Sequence, residues 1–203
     1  YSMPLAGATG PITVAGMALL SNVELLSMVV LYQVARPGLP LIYGAGGTFV
    51  DLRTAVFRGH TQETDLLGLA LCDLAHWYGL PVNVNGLSTG AHHLGVETFA
   101  NGTRSGLVYT LAGADELFGI GLLNGAQTLS LEKMFLDAEI VRVMRAILAG
   151  ELGSGEAAEW ASADREYGWA AQRVRQILTS HQPDPLPDRL PDELGRIAAA
   201  YVI

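Results

Sequence analysis

The pattern that most constrains this chain is a unit of short apolar strand, glycine-rich turn and helix, which recurs four times between Met3 and Gly121. The strands are read at residues 2–6, 39–43, 80–85 and 114–118. Gly7-Ala8-Thr9-Gly10, Gly44-Ala45-Gly46-Gly47, Gly86 and Gly119-Ile120-Gly121 close them in turn. Strands alternating with helices at this spacing specify βαβ units and a parallel sheet. The units share no sequence motif, so the repeat is one of structure and not a solenoid.

Such a sheet is covered on both faces and needs many apolar residues. The chain supplies them: 50% of its 203 residues are hydrophobic and 16% charged. Its length suits one domain with a tail. We divide it into an α/β domain at 1–150 and a helical, proline-containing appendage at 151–203. Gly153-Ser154-Gly155 reads as a hinge and Pro183, Pro185, Pro187 and Pro191 punctuate the end.

Four helices are expected in the first part. Pro11 and Thr13 start one that runs to Ala35 before Pro37-Gly38, and its apolar residues cover most of the circumference, which predicts extensive burial. Thr61 or Gln62 opens a second, closed by Gly79 in the place of a left-handed cap. The third runs from about Leu94 to Leu111. Ser130 caps a fourth, from Leu131 to Ala149, with Met134, Leu136, Ile140, Val143, Met144 and Ile147 facing inward. Glu132, Lys133, Asp137, Glu139, Arg142 and Arg145 are then available to water. Glu24 stands out in the first helix, as a solvent-edge residue or a paired carboxylate.

Charge and cysteine content narrow the function classes. A formal net charge of −8 argues against nonspecific nucleic-acid binding, which needs a basic face. The stretch from Val14 to Val34 is long enough for a membrane span but carries Asn22, Glu24 and Gln33 inside the βα rhythm, so a barrel helix is expected and no membrane association. No basic leader precedes the first strand, and the single Cys72 cannot build a disulfide framework. A cytoplasmic setting follows as the expectation.

In parallel α/β folds the site lies at the carboxyl ends of the strands. That rule nominates Thr9, Tyr43, Asn83, Asn85, Ser88, Thr89, His92, His93, Glu97, Phe118 and Ile120. His92 and His93 are adjacent and point apart, and no Cys/His/carboxylate spacing suits a metal, so none is expected. Gly44 to Gly47 lacks the Lys-Ser/Thr of a phosphate loop. His60 lies in a long loop and reads as solvated.

Several stretches, in order, resemble the trimethylamine methyltransferase superfamily, which includes glycine betaine methyltransferases. They are residues 4–16, Asn22-Val23-Glu24-Leu25-Leu26, residues 33–44, Tyr78-Gly79-Leu80-Pro81, residues 111–115, Ser130-Leu131-Glu132-Lys133 and Asp137-Ala138-Glu139-Ile140. The similarity runs from about Ser2 to Ile147. It implies the C-terminal half of a (β/α)8 barrel of the TIM type, about four parallel βα units plus a helical tail. It also implies methyl transfer from a methylated or quaternary amine to a corrinoid carried by a separate partner protein, with no cofactor held by this chain itself. The family stretch after the third strand carries an Asp-Ser-Lys-like run, replaced here by residues 88–97, and no pyrrolysine appears, so a quaternary amine is a better candidate than trimethylamine. On this reading His93, His92 and Glu97 are the candidate catalytic residues. Tyr43 and Phe118 could hold a cation by their aromatic faces. Asn85, Thr89 and Thr9 complete the candidate substrate site.

Two rivals belong to other classes. One is a non-catalytic half-barrel whose open sheet edges pair between subunits; exposed edges in either case lead us to expect a homo-oligomer. The other is a barrel enzyme for phosphorylated metabolites, which would need a basic anion site where only Arg53 and Arg58 are at hand.

Overall fold

A computed structural model describes residues 1–44, 46–58, 61–150 and 168–184, together with 190, 192, 195, 196 and 199. The readings of Ala45, His60, the hinge at 153–155 and most of the final helix lie outside them. In chain order the elements are β1 (Leu5–Ala6), α1 (Val14–Ala35), β2 (Tyr43–Gly44), β3 (Thr48–Val50), β4 (Phe57–Arg58) and α2 (Gln62–Trp77). Then come β5 (Val82–Asn85), α3 (Val96–Leu111), β6 (Glu116–Phe118), β7 (Leu122–Leu123), β8 (Thr128–Leu129), α4 (Leu131–Leu148) and α5 (Gly168–Ser180).

The chain is α/β. β2, β5 and β6 form a parallel sheet in that order, with Tyr43 opposite Val82, Asn83 opposite Glu116 and Asn85 opposite Phe118. The first expected strand lies beside the second: the Ser2 amide donates to the Gly44 carbonyl and the Gly46 amide to the Ser2 carbonyl, both at 3.1 Å. Beyond that point β1 turns to pair in parallel with β3, which pairs antiparallel with β4. No closed barrel forms among the described residues. Two segments read as plain loops contain short strand pairs, β3–β4 and β7–β8. These strands have only two or three residues each, too few for a period-2 pattern to reveal them.

Helix ends follow local chemistry. Thr13, Thr61 and Ser130 each accept a backbone N–H from three residues on, satisfying a donor that the first turn leaves orphaned. Gly79 has φ +67° just after the end of α2, a conformation costly for any residue with a Cβ. α3 starts at Val96, with Gly95 as an N-cap that offers no side-chain oxygen.

The core lies between the sheet and α1, α2 and α3. Met17, Leu25, Tyr43, Leu67, Leu71, Cys72, Val82, Val84 and Tyr109 are its buried members. Each fully buried Leu or Val stabilises the fold by about 1.5–3 kcal/mol. Strand alternation is visible in β5, where Val82 and Val84 are buried and Asn83 and Asn85 look the other way, half-buried.

Two expectations about helices are corrected. α1 is not largely buried: only Met17, Ala18, Ser21 and Leu25 are, because it packs chiefly on α2, which covers one side of a 22-residue helix. Glu24 is exposed and accepts a hydrogen bond from Ser2 Oγ at 2.6 Å. In α4, Lys133 and Asp137 are buried instead of solvated, while Met134 and Ile147 are exposed. α5 docks on α4 through Trp169, whose ring meets Phe135 edge-on at 5.5 Å, and through the buried Ala170.

Candidate functional site

The sheet face turned away from the helices carries Asn83 and Asn85 from β5 and, in register, Glu116 and Phe118 from β6. At the carboxyl end of these strands is a cavity of about 150 Å³. Met3, Leu5, Leu67, Leu71 and Val84 make it mostly apolar, Tyr1 and Tyr109 give it aromatic surface, and Asn85, Ser88, Thr48 and Thr64 supply polar atoms. Among the described residues no Lys or Arg lines it. Tyr1 meets Phe118 edge-on at 5.3 Å. Ser88 Oγ donates to Asn85 Oδ1 at 2.8 Å, which turns the Asn85 carboxamide to one orientation. Gly119, at φ +98°, allows this closeness, since a Cβ there would sit 2.5 Å from Asn85 Oδ1. Among the described residues, Thr48 Oγ1 is the buried side-chain oxygen left without a hydrogen-bond partner, and Thr48 lines the cavity. A buried hydroxyl in that state costs free energy unless water or a ligand satisfies it.

The rim is made of the loops after β5 and β6, which are laced together. The Gly86 amide donates to the Phe118 carbonyl, Thr89 to Leu122, Gly125 to Thr89, and Asn124 to Ala91. Beneath them lies a buried ion pair. Lys133 Nζ donates to Asp137 Oδ2 and, at 2.7 Å, to the Leu87 carbonyl. The same carboxylate oxygen accepts the Gly121 amide at 2.8 Å. One turn of α4 therefore clamps both rim loops. Burial pulls the Lys133 ammonium down from its ordinary range and pushes the Asp137 carboxyl up, and their mutual hydrogen bond opposes both shifts.

A second, partly buried network joins the helices behind the cavity. Arg104 Nε donates to Asp65 Oδ2 at 2.8 Å, and Tyr109 Oη donates to the Thr64 carbonyl at 3.1 Å. Gly68 makes room for the Tyr109 ring, which a Cβ would approach to 2.4 Å. Burial, reinforced by the Asp65 carboxylate, pushes the Tyr109 phenol far above its ordinary value and holds it as a proton donor.

The expected site residues separate into three groups. Asn85 lines the cavity and Phe118 adjoins it through Tyr1. Thr89 is fully buried in the rim, where its hydroxyl accepts the Ala91 amide. Tyr43 is 1% exposed and turned toward the helices: its hydroxyl donates to Asn22 Oδ1 at 2.9 Å, and Asn22 in turn donates to Tyr78. Burial and the neighbouring Tyr78 push the Tyr43 phenol up to about 12. Thr9 is exposed and caps the β1 turn by accepting the Leu5 amide. His92, His93 and Glu97 are exposed around the start of α3, with the two imidazoles 6.5 Å apart, and none lines the cavity. Among the described residues no three His, Cys, Asp or Glu side chains converge.

Sequence reasoning missed Tyr1, Thr48, Gly68 and Tyr109. Tyr1 shares the parity of Met3 and Leu5, and Gly68 interrupts an otherwise leucine-rich helix; these were the readable signals. Thr48 and Tyr109 gave none, because nothing local shows which helix face lies against which strand end.

The family model described as trimethylamine methyltransferase (MTTB) matches residues 1–169. Trimethylamine methyltransferase MttB2 of Methanosarcina mazei is 32% identical over 149 residues, which cover 73% of this chain and 30% of that protein. Trimethylamine methyltransferase MttB of Desulfitobacterium hafniense is 30% identical over the same shares. A glycine betaine methyltransferase of Desulfitobacterium hafniense is 29% identical over 150 residues, 31% of its length. The match thus spans under a third of each of these relatives.

Proposed function

Because the chain belongs to the trimethylamine methyltransferase family, we propose that it forms the C-terminal half of a (β/α)8 barrel that moves a methyl group from a quaternary or other methylated amine to a corrinoid carried by a partner protein. In such a step the C–N bond electrons stay on the departing amine and the methyl carbon is taken by the reduced, nucleophilic cobalt of the partner. The protein supplies alignment, an environment for the cation, and a way in for the corrinoid.

The observation that carries this reading is the cavity at the strand ends. It is apolar and aromatic, has no Lys or Arg among the described residues that line it, and has its Asn85 carboxamide oriented by Ser88. Aromatic edges and faces with a positioned carboxamide suit a methylated ammonium, whose charge is spread over apolar groups. Asn85 orients the donor, and Tyr1, held against Phe118, forms one wall. Tyr43 and Thr89 support the strand and rim from behind. His92, His93 and Glu97 stand on the outside of the rim, where a corrinoid protein would have to dock.

A barrel site draws residues from strands around the whole ring. Alignment contributes on the order of 7–11 kcal/mol to such a reaction and depends on every wall being present. The test is methyl transfer to a reduced corrinoid protein, followed by its visible spectrum, across a panel of methylated amines. The expected result is no turnover by the 203 residues alone and turnover of at least one donor by a longer native chain containing them. Failure of the longer chain with every donor rejects the reading.

A further inference from the structure

The strand-end cavity is bounded on its outer side by two hairpins that meet at one point. Its floor is deep: Leu67, Leu71 and Val84 are at most 1% exposed. Phe57 of β4 and Gly125 and Ala126 of the β7–β8 turn also line it, yet Phe57 is 39% exposed and Ala126 is exposed. These three residues therefore stand between the cavity and water. A Cβ placed on Gly125 would lie 3.7 Å from Phe57 Cβ and, among the described residues beyond its chain neighbours, within 4 Å of nothing else. β4 is two residues long, exposed at both, and pairs only with β3.

The β7–β8 hairpin is firm at its foot and lightly held at its tip. At the foot the Ser130 amide donates to the Gly121 carbonyl at 2.9 Å, Asp137 accepts the Gly121 amide, and Leu123 is buried. At the tip the Asn124 amide donates to the Ala91 carbonyl at 2.9 Å and the Gly125 amide to the Thr89 carbonyl at 3.0 Å. Three successive tip residues are left-handed: Asn124 at φ +52°, Gly125 at +61° and Ala126 at +70°. Asn and Gly adopt that region readily, whereas Ala is held there against its preference. Such conformations gather at ligand clamps and switch segments. Segments with few buried contacts also open at a free energy below that of the whole fold.

We propose that the 124–127 turn is a gate over the cavity. Closed, Gly125 and Ala126 seat against Phe57. Open, the turn lifts from Thr89 and Ala91, Ala126 relaxes, and a methylated ammonium passes between the hairpins with the Phe57 ring at the threshold. The identity of the ligand rests on the reading of the cavity as the donor site, whereas the motion is tested without any donor.

Amide hydrogen exchange followed by NMR tests the motion on the 203-residue chain. The Asn124 and Gly125 amides are expected to exchange together, at least a hundredfold faster than those of β5. The variant Phe57→Cys/Gly125→Cys tests the contact, since disulfides need Cβ atoms roughly 3.5–4.5 Å apart. The buried Cys72 does not compete. Mild oxidation is expected to join the introduced thiols and slow both amides at least tenfold, and reduction to reverse this. In a longer native chain carrying the pair, oxidation should slow methyl transfer at least tenfold relative to the reduced form. Native amides protected as well as those of β5, thiols that do not join, or transfer equal in the oxidised and reduced forms each overturn the gate. A longer chain that takes a methyl from no donor rejects the methyl-transfer reading instead, and exchange and cross-linking then decide the gate by themselves.

Discussion

Replacing Lys133 or Asp137 tests whether α4 holds the rim of the cavity. Their side chains are 0% and 2% exposed, and between them they satisfy the Leu87 carbonyl and the Gly121 amide. Lys133→Met leaves a buried carboxylate without its cation and a carbonyl without its donor. Asp137→Leu leaves a buried ammonium and an orphaned amide. Breaking such a pair from one side costs about 3–5 kcal/mol, a large part of the roughly 5–15 kcal/mol that holds a domain folded. At about 2–4 °C per kcal/mol for a chain of this size, each single variant should melt roughly 6–20 °C lower. The double variant Lys133→Met/Asp137→Leu buries no charge and leaves only two backbone groups unpaired, at about 1–3 kcal/mol each. Its loss should therefore fall short of the sum of the singles by about 2 kcal/mol or more.

The two singles should also respond oppositely to pH. Burial raises the Asp137 carboxyl, so in Lys133→Met the folded state takes up a proton that the unfolded state does not, and the penalty shrinks as pH falls through the raised range of that carboxyl. Burial lowers the Lys133 ammonium, so in Asp137→Leu the folded state sheds its proton first, and the penalty shrinks as pH rises. Urea melts followed by circular dichroism measure all of this. Singles that cost under about 1 kcal/mol, or that add within about 0.5 kcal/mol in the double, would show that the pair is not the clamp described.

The remaining expectations concern single positions. Asn85→Ala should leave the melting temperature within a few degrees and reduce methyl transfer by a longer native chain at least tenfold; a large loss of stability would instead make Asn85 structural. Tyr43→Phe removes a buried hydroxyl from the Asn22 and Tyr78 network and should cost about 1–2 kcal/mol in a chemical melt, because Asn22 Oδ1 loses its donor. Gly119→Ala should be worse than an ordinary surface substitution, since φ +98° and the Asn85 and Ser88 contacts both oppose a Cβ. Burial pushes the Cys72 thiol from its ordinary 9.0 up to about 11, so native protein should resist thiol reagents at neutral pH. Stability attributable to Cys72 should be full below pH 9 and fall by roughly 2–3 kcal/mol as pH rises to about 11, a slope that Cys72→Ala removes.

How far this was readable from the chain differs between elements. Three of the four helices of the first 150 residues were legible from caps that are local: Thr13, Thr61, Ser130 and Gly79 act on backbone within a turn of themselves. That β2, β5 and β6 run parallel was legible because each apolar run precedes a helix that must return over the sheet. The short pairs β3–β4 and β7–β8 were not, having too few residues to carry a period. Asn85 and Phe118 could be placed at a strand end, but that they lie side by side is a matter of register between β5 and β6.

What the amino-acid sequence determined by itself was thus the alternation of strand and helix, the helix boundaries and the family. The tertiary structure decided which side of each helix is covered. Helical periodicity says that α1 is apolar all round and that Lys133 and Asp137 are polar; it does not say that the first is left half bare or that the other two are enclosed. Burial depends on what packs from a distance in the chain, and an ion pair whose partners include Leu87 and Gly121 exists only once β5, β6 and α4 have met.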